Sequence, residues 1–259
     1  MKLTVLGCWA PYPRAGGACS GYLVQVGETN ILLECGNGVL SNLQKYLDFR
    51  SLDGVIISHL HPDHVMDLFC LRHAVEGARR TDSRLSTIPL YLPAHPNEES
   101  AKLAGFSKAF EAKEIEQLPQ TQYSDIPAGA VVYQTRIGSA DIFLIRTDHS
   151  LPAYAVRIEG EGSLFYSADT KWTEYLSEFA RGADVAVCEA SVIEADREYA
   201  SVGHLTARQA GQLAARAQNP QLVVTHFWPE YNLNTIKAEA ESGFGSQVIM
   251  AEEGLTVSI

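Results

Sequence analysis

The feature that most constrains this 259-residue chain is a short apolar run that leads directly into a cluster of ionisable side chains. The run, GVIIS at residues 54–58, has the length and composition of a strand buried on both faces. Three histidines and an aspartate follow it within six residues: His59, His61, Asp63 and His64. Imidazole and carboxylate ligands suit zinc, manganese or iron better than calcium. The segment therefore predicts a metal site at the carboxyl end of a strand.

Hydrophobic periodicity predicts strands that first cluster and then alternate with helices in each half of the chain. The predicted strands are residues 2–6, 21–26, 31–33, 54–58, 89–92, 131–136, 142–146, 153–158, 163–166, 185–187 and 222–225, with two more near the end. The predicted helices are residues 38–47, 65–80, about 173–180, 207 to about 218 and about 233–241. This order favours two sheets inside with helices outside. No linker, repeat or low-complexity segment interrupts residues 1–259, so we expect one domain.

Composition excludes several classes of protein. A hydrophobic fraction of 46% with 20% charged residues is typical of a globular chain. No apolar run approaches the roughly 18 to 20 residues of a membrane-spanning helix, and the start of the chain shows no signal peptide. The five scattered cysteines form no C-x-x-C pair, which favours small hydrophobes in a reduced interior. We therefore expect a cytoplasmic protein without membrane contact.

The pattern His-x-His-x-Asp-His after a buried strand resembles the signature of the metallo-β-lactamase superfamily. Three further residues fit that pattern in order: His149 in RTDHS, Asp169 in LFYSADT and His226 in LVVTHFWP. The resemblance implies an α/β fold, a four-layer αββα sandwich with two mixed sheets and helices on the outer faces. It also implies a hydrolase with two divalent cations, Zn²⁺ in the first place and Mn²⁺ or Fe²⁺ as alternatives.

The same resemblance assigns seven metal ligands. One cation would be held by His59, His61 and His149, the second by Asp63, His64 and His226, with Asp169 bridging both. Two cations about 3.5 to 4 Å apart activate a water molecule and hold the oxygens of a substrate. In this scheme Asp63 also positions the attacking water and accepts its proton.

Two motifs indicate a branch of the superfamily. VCEASV and VGHLTARQAG resemble the paired motifs of ribonuclease Z-like enzymes, in which a glutamate orients a histidine over the scissile phosphodiester; here these residues are Glu189 and His204. The implied role of this pair is to stabilise and protonate the leaving group. The alternative is that His204 merely precedes a helix whose N-cap is Thr206. The segment LLECGNG departs from the family pattern, because Glu34 stands where the family usually has aspartate.

The substrate class depends on a segment that the chain lacks. In tRNA-processing ribonuclease Z a long arm grips the tRNA between the third-histidine and bridging-aspartate motifs, whereas here Asp169 follows His149 by only 20 residues. A net charge of −11 also disfavours extended nucleic acid. We therefore expect a small phosphodiester substrate, such as a cyclic nucleotide or another cyclic phosphodiester. The alternatives are a tRNA 3′-processing endonuclease, a thioesterase or lactonase on the same metals, and a non-enzymatic sensor.

The sequence allows more than one interpretation for several other residues. Trp228 and Tyr231 either wall the pocket or pack in the core, and Arg14 either reaches a phosphate or lies in an exposed loop. His73 and His95 favour surface positions. Residues 96–129 predict a helix and a long loop, either a surface excursion or part of a substrate lid. By analogy with ribonuclease Z-like proteins, a homodimer is possible.

Overall fold

The computed structural model describes residues 1–82, 85–123, 126 and 130–259, and its core is formed by two β-sheets. The strands are β1 Lys2–Gly7, β2 Gly21–Val26, β3 Thr29–Leu33, β4 Gly54–Ile56, β5 Ile88–Leu92, β6 Phe110–Glu114, β7 Gln120–Thr121, β8 Val132–Ile137, β9 Ala140–Arg146, β10 Tyr154–Gly160, β11 Gly162–Tyr166, β12 Val185–Glu189, β13 Gln221–Thr225, β14 Ile249–Met250 and β15 Thr256–Ser258.

Helices separate many of these strands. They are α1 Val39–Leu43, α2 Pro62–Val65, α3 Leu68–Thr81, α4 Asn97–Ala104, α5 Glu174–Ala180, α6 Ala207–Arg216 and α7 Leu233–Phe244, with short 3₁₀ helices at Phe49–Ser51, Ile115–Gln117 and Glu194–Val202. No helix in the described ranges is long and apolar enough to cross a bilayer.

Both sheets are mixed. The first runs in the order β15-β1-β2-β3-β4-β5-β6 and the second in the order β14-β13-β12-β11-β10-β9-β8-β7. Strands β3 to β6 pair in parallel, as do β11 to β14, whereas the remaining neighbours are antiparallel. The carboxyl ends of parallel strands meet at one edge of each sheet, which is where α/β proteins place their binding sites.

Residues that alternate along a strand of the first sheet face two different cores. Tyr22 and Val24 face the space between the sheets, whereas Leu23 faces the outer helices. The sheets meet at Tyr22, whose ring centroid lies 5.3 Å from that of Tyr166 and whose hydroxyl forms a 2.7 Å hydrogen bond with Thr225. Because both faces are buried, the strands are nearly continuous apolar runs. The predicted αββα architecture with two mixed sheets is confirmed; that residues 1–259 form one domain stays a prediction.

For residues 96–129 the predicted helix is present, but the prediction of a long loop after it is wrong. After α4, the chain adds β6 to the edge of the first sheet and β7 to the edge of the second. The β6 sequence FEAKE is charged and only partly buried, as is common for edge strands, so it lacks the alternation that marks a strand. Residues 124–125 and 127–129 of this prediction lie outside the described residues.

Smaller differences concern element ends and cysteines. The predicted helix at 38–47 is limited to α1, and the predicted helix at 65–80 is divided into α2 and α3. The 3₁₀ helix at Glu194–Val202 was not predicted. All five cysteines are free, but Cys70 is exposed, so its predicted place in the interior is wrong.

Helices α6 and α7 approach each other closely because two glycines face the contact. A Cβ atom on Gly211 would lie 2.2 Å from the carbonyl oxygen of Ala240, and one on Gly243 would lie 2.1 Å from that of Arg208. Both distances are far below van der Waals contact, so any side chain there would force the helices apart.

We therefore predict that Gly211→Ala lowers the free energy of unfolding by about 1–3 kcal/mol, although alanine is the better helix former. The control is Gly77→Ala in α3, where an added Cβ meets no atom within 4 Å. This control should raise the free energy of unfolding by up to about 1 kcal/mol. Urea unfolding followed by circular dichroism measures both, and stabilisation by Gly211→Ala would contradict the close helix contact.

Candidate metal centre

The predicted ligands lie in loops that follow strands at one edge of the two sheets. His59 and His61 come just after β4, and Pro62 then starts α2, whose first turn carries Asp63 and His64. Proline suits this first helical position because its missing N–H would have no partner there.

The other ligand loops leave the second sheet. His149 follows β9, Asp169 follows β11, and His226 follows β13 directly. His226 and Ala168, the residue before Asp169, have positive φ angles of 62° and 51°. Such backbone costs about 1–3 kcal/mol per residue and is typical of functional sites.

Four side chains form the first group. His61 Nδ1 lies 3.0 Å from His59 Nε2 and 3.1 Å from His149 Nε2. Asp169 Oδ2 lies 3.6 Å from His59 Nε2 and 3.9 Å from His149 Nε2. Tetrahedral coordination with bonds of about 2.1 Å places ligand atoms about 3.4 Å apart, so this group could hold one cation.

The other oxygen of Asp169 faces a second group. Its Oδ1 lies 3.6 Å from His64 Nε2 and 3.2 Å from His226 Nε2. These two nitrogens are 3.1 Å apart, and Asp63 Oδ2 lies 3.6 Å and 3.5 Å from them. Asp169 thus has one carboxylate oxygen toward each group; that it bridges two cations stays a prediction.

Hydrogen bonds on the far side of the rings fix which nitrogen faces inward. His149 Nδ1 donates to the carbonyl oxygen of Gly203 at 2.8 Å, which leaves its Nε2 lone pair directed into the first group. The Ser191 hydroxyl donates to Glu189 at 2.5 Å, so it accepts from His226 Nδ1 at 2.7 Å. Such outer partners orient ligand histidines in metal sites.

The second group requires positive charge. Burial by itself lowers the pKa of His64, but the carboxylates of Asp169, Asp63 and Glu34 outweigh that effect and raise the pKa to about 10. Asp169 Oδ1 is buried and accepts no hydrogen bond, which is costly for a carboxylate oxygen. A cation at this position would satisfy that oxygen and replace the proton on His64.

The remaining pKa shifts agree with metal binding. Burial and neighbouring histidines lower the pKa of His59 far below its usual value and also lower that of His61, so both rings are neutral near pH 7. Burial raises the pKa of Asp63 and Asp169, but nearby histidines outweigh it and lower both. Neutral imidazoles and ionised carboxylates are the forms that bind metals.

Glu34, the departure from the family pattern, is completely buried beneath this group. Its carboxylate lies 3.3 Å from His64 Nδ1 and accepts from the backbone N–H of Ser58 at 3.1 Å. A positive φ of 63° turns it toward the site. Glu34 therefore orients His64 from outside the metal positions.

Glu189 and His204 meet beside the bridging aspartate. Glu189 ends β12 and accepts hydrogen bonds from the backbone N–H of Thr170 at 2.7 Å and from His204 Nδ1 at 3.1 Å. His204 Nδ1 also lies 3.8 Å from Asp169 Oδ2. Burial alone lowers the pKa of His204, but Glu189 reverses this and raises it to about 9; two cations nearby would oppose that rise.

The alternative interpretation of His204 also describes a real feature. Thr206 is the N-cap of α6 and forms a capping box with Gln209. The cap and the contact between His204 and Glu189 coexist, because Thr206 caps the helix while His204, two residues earlier, faces the pocket.

Two positions in this network were not predicted from sequence. Ser191 joins His226 to Glu189, and Gly203 orients His149 through its carbonyl group. A Cβ on Gly203, whose φ is 139°, would lie 2.5 Å from His149 Nδ1. The sequence offers one signal for Gly203, which is a glycine next to the motif residue His204. It offers no signal for Ser191.

A cavity of about 420 Å³ opens over the ligands. Its lining residues are Ala10, Pro11, His61, Pro62, Asp63, Asp169, Ser191, Val192, Tyr199, Val202, His204, His226 and Trp228. No described residue of 96–129 lines it, so the structure does not support a lid in the described part of that segment.

The residues left open by the sequence are also placed. Trp228 lines the cavity. Tyr231 packs against the Trp228 ring, with ring centroids 5.7 Å apart. Arg14 neither points into the cavity nor hangs free, since it donates to the carbonyl oxygens of Pro229 and Tyr231. His73 and His95 are exposed.

Comparison with known proteins agrees with this geometry. The model of the beta-lactamase superfamily domain matches residues 29–227. The probable metallo-hydrolase YhfI of Bacillus subtilis is 31% identical over 260 residues, covering 98% of both chains. The crystal structure of the metallo-beta-lactamase fold protein YhfI superposes with a TM-score of 0.85 at 29% identity, covering 99% of each chain.

Ribonuclease Z of Nocardia farcinica is 28% identical, covering 97% of this chain and 95% of that protein. A diphosphatase from the PhnP family has the same fold, with a TM-score of 0.74 at 16% identity, covering 100% of this chain and 97% of that one. The protein is accordingly a metallo-hydrolase of the metallo-β-lactamase superfamily, in its ribonuclease Z-like branch.

Proposed function

We propose that the protein is a binuclear, metal-dependent phosphodiesterase that acts on small substrates, such as cyclic nucleotides or other cyclic phosphodiesters. The observation that carries this proposal is the contact between Glu189 and His204 directly beside Asp169. It adds a proton donor to the metal ligands, and departure of an alkoxide from phosphorus needs such a donor.

The seven ligands divide between two metal positions in this proposal. His59, His61 and His149 would hold the first cation, Asp63, His64 and His226 would hold the second, and Asp169 would serve both positions. Two divalent cations held there would lower the pKa of a water molecule toward neutrality and bind the phosphoryl oxygens. Zn²⁺ fits the ligand set, and Mn²⁺ and Fe²⁺ share it.

The roles of the chain's own groups follow from their positions. Asp63 lies at the cavity floor, where its carboxylate orients the attacking water and accepts its proton. Glu189 holds Nδ1–H of His204, so the other ring N–H of a protonated His204 is free for the substrate. From there it donates to the leaving oxygen and balances negative charge on the phosphoryl group.

Similarity to other proteins supports chemistry at phosphorus. The ribonuclease Z relatives are, by their name, enzymes that cut RNA, and the diphosphatase cleaves a bond between phosphates. Both reactions break a P–O bond. The second of these similarities concerns the fold alone.

Sequence similarity to ribonuclease Z also favours tRNA 3′-processing as a second candidate. Against it, the interval between His149 and Asp169 consists of the β10–β11 hairpin, which leaves no arm to grip tRNA. The net charge is −11, and no Lys or Arg lines the cavity in the described ranges. Incubation with precursor tRNA and with bis-p-nitrophenyl phosphate separates the two; efficient, site-specific tRNA cleavage would overturn the preference for small substrates.

We predict that His204→Ala lowers kcat for a cyclic nucleotide, whose leaving group is an alkoxide, by about 10²-fold or more, because the leaving group loses its proton donor. Metal content, measured by inductively coupled plasma mass spectrometry, should stay at the wild-type value. The matched control is the exposed His73→Ala, which should change neither quantity. Wild-type turnover by His204→Ala would remove His204 from the reaction, and it would favour the thioesterase or lactonase alternative if those esters were hydrolysed.

We also predict that Asp169→Ala loses bound metal and hydrolytic activity together, since one side chain serves both positions. Chelation of the wild-type protein should lower its Tm, because metal that binds only the folded state stabilises it. The Tm of Asp169→Ala should not respond to chelator. The control is Asp141→Ala in β9, whose carboxylate is exposed and paired with Arg136. Two metals per chain in Asp169→Ala would contradict the bridging role.

A further inference from the structure

The cavity has two ends of different character. Its floor carries the ligand and proton-transfer groups, whereas its mouth is formed by apolar side chains. We define the apolar ledge as the three exposed large apolar side chains that line the cavity: Tyr199, Val202 and Trp228. The proposed hydrolysis gives a role to the side chains at the floor, but it gives none to those of the ledge.

All three ledge side chains stay partly exposed to water, which is unfavourable for large apolar groups in a folded protein. Tyr199 is 54% exposed, Val202 63% and Trp228 39%. They belong to the seven large apolar side chains that are exposed in the described ranges. Scattered apolar residues need no explanation, but a contiguous group at the mouth of a reactive cavity marks a binding surface.

The ledge is held in place rather than free to collapse. The Trp228 ring packs on Tyr231, whose hydroxyl donates to Asp196 at 2.8 Å. Arg14 ties the same loop to the start of the chain through the carbonyl oxygen of Tyr231, while its guanidinium lies 4.4 Å from the centroid of the Trp9 ring. A rigid aromatic surface needs little ordering when a flat ring stacks on it.

Charge around the ledge restricts what can lie there. The described cavity lining contains no Lys or Arg, and Arg14 is committed to backbone carbonyl groups. The ledge therefore offers no cation to pair with a second anionic group, whereas an uncharged ring can stack on Trp228 and Tyr199 without one.

We propose that the apolar ledge binds one ester arm of the substrate, and that this arm is a flat, uncharged aromatic or heterocyclic group. The substrate class is then a phosphodiester with a single negative charge at the metal end and a planar arm at the mouth. Trp228 and Tyr199 determine specificity for that arm. This inference rests on the proposed phosphodiesterase activity, but it makes a separate statement about binding.

The test compares substrates that differ only in the arm that stays on phosphorus. Bis-p-nitrophenyl phosphate and ethyl p-nitrophenyl phosphate have the same leaving group and charge, so the ratio of their kcat/KM values reports on the aryl arm. Trp228→Ala and Tyr199→Ala should each lower this ratio at least about fivefold, the effect of losing one stacking contact. Tyr46→Ala removes an equally exposed tyrosine outside the cavity and should leave the ratio unchanged.

Equilibrium binding gives a second readout that does not need turnover. Calorimetry on the Zn²⁺-loaded protein should show diphenyl phosphate binding at least about tenfold more tightly than diethyl phosphate, and Trp228→Ala should remove the difference. If diesters are hydrolysed but the aryl-to-ethyl ratio in both ledge variants equals that of the wild type, the ledge proposal fails and the proposed function stands.

If no diester is hydrolysed while diphenyl phosphate still shows a preference that depends on Trp228, the proposed function fails and the ledge stands. Sedimentation velocity tests the remaining possible occupant of the ledge, a second copy of the chain. A dimer that dissociates in Trp228→Ala without a change in aryl preference would make the ledge an interface between two copies of the chain and overturn the proposal.

Discussion

Asp169 is the contact on which the rest of the site depends, because its two oxygens face two separate groups of histidines. Oδ2 faces His59 and His149, and Oδ1 faces His64 and His226. Buried imidazole nitrogens about 3 Å apart and a buried carboxylate oxygen without a donor are unfavourable unless positive charge lies between them. Two divalent cations at these positions would provide that charge, whereas protons can satisfy only part of the cluster. The arrangement therefore fits the divalent metal of a metallo-hydrolase.

The fold supplies this arrangement by joining two sheets at one edge. Parallel strands in each sheet end on the same side, so the loops after β3, β4, β11 and β13 converge. Their short, left-handed turns at Glu34, Ala168 and His226 are strained, and the buried Tyr22–Thr225 contact between the sheets holds them. Strain of a few kcal/mol is small against a core that spans both sheets. The packing between the sheets therefore both stabilises the sandwich and fixes the positions of the metal ligands.

Sequence reasoning reaches the parts of this structure that are local. The six-residue cluster from His59 to His64 indicates metal through residue types alone, and buried strands show as apolar runs. His149, Asp169 and His226 are isolated single residues, so resemblance to a family was needed to connect them. Ser191 could not be found, because its hydroxyl gains its role only from the folded arrangement, in which it joins Glu189 to a ring that lies 35 residues away in sequence. β6 was missed for the opposite reason, since an edge strand needs little hydrophobic pattern.

The separation of charge along the cavity gives the site a direction. Two divalent cations at the proposed positions would bring four positive charges to the floor, where they would bind the oxygens of a phosphodiester anion. The mouth is apolar, and no Lys or Arg is among the described residues that line the cavity. A substrate with one charge and one flat arm would fit both ends, whereas a polyanion would place further phosphates against side chains that offer no cation to pair with them. The net charge of −11 adds to this preference, because it disfavours the approach of an extended polyanion.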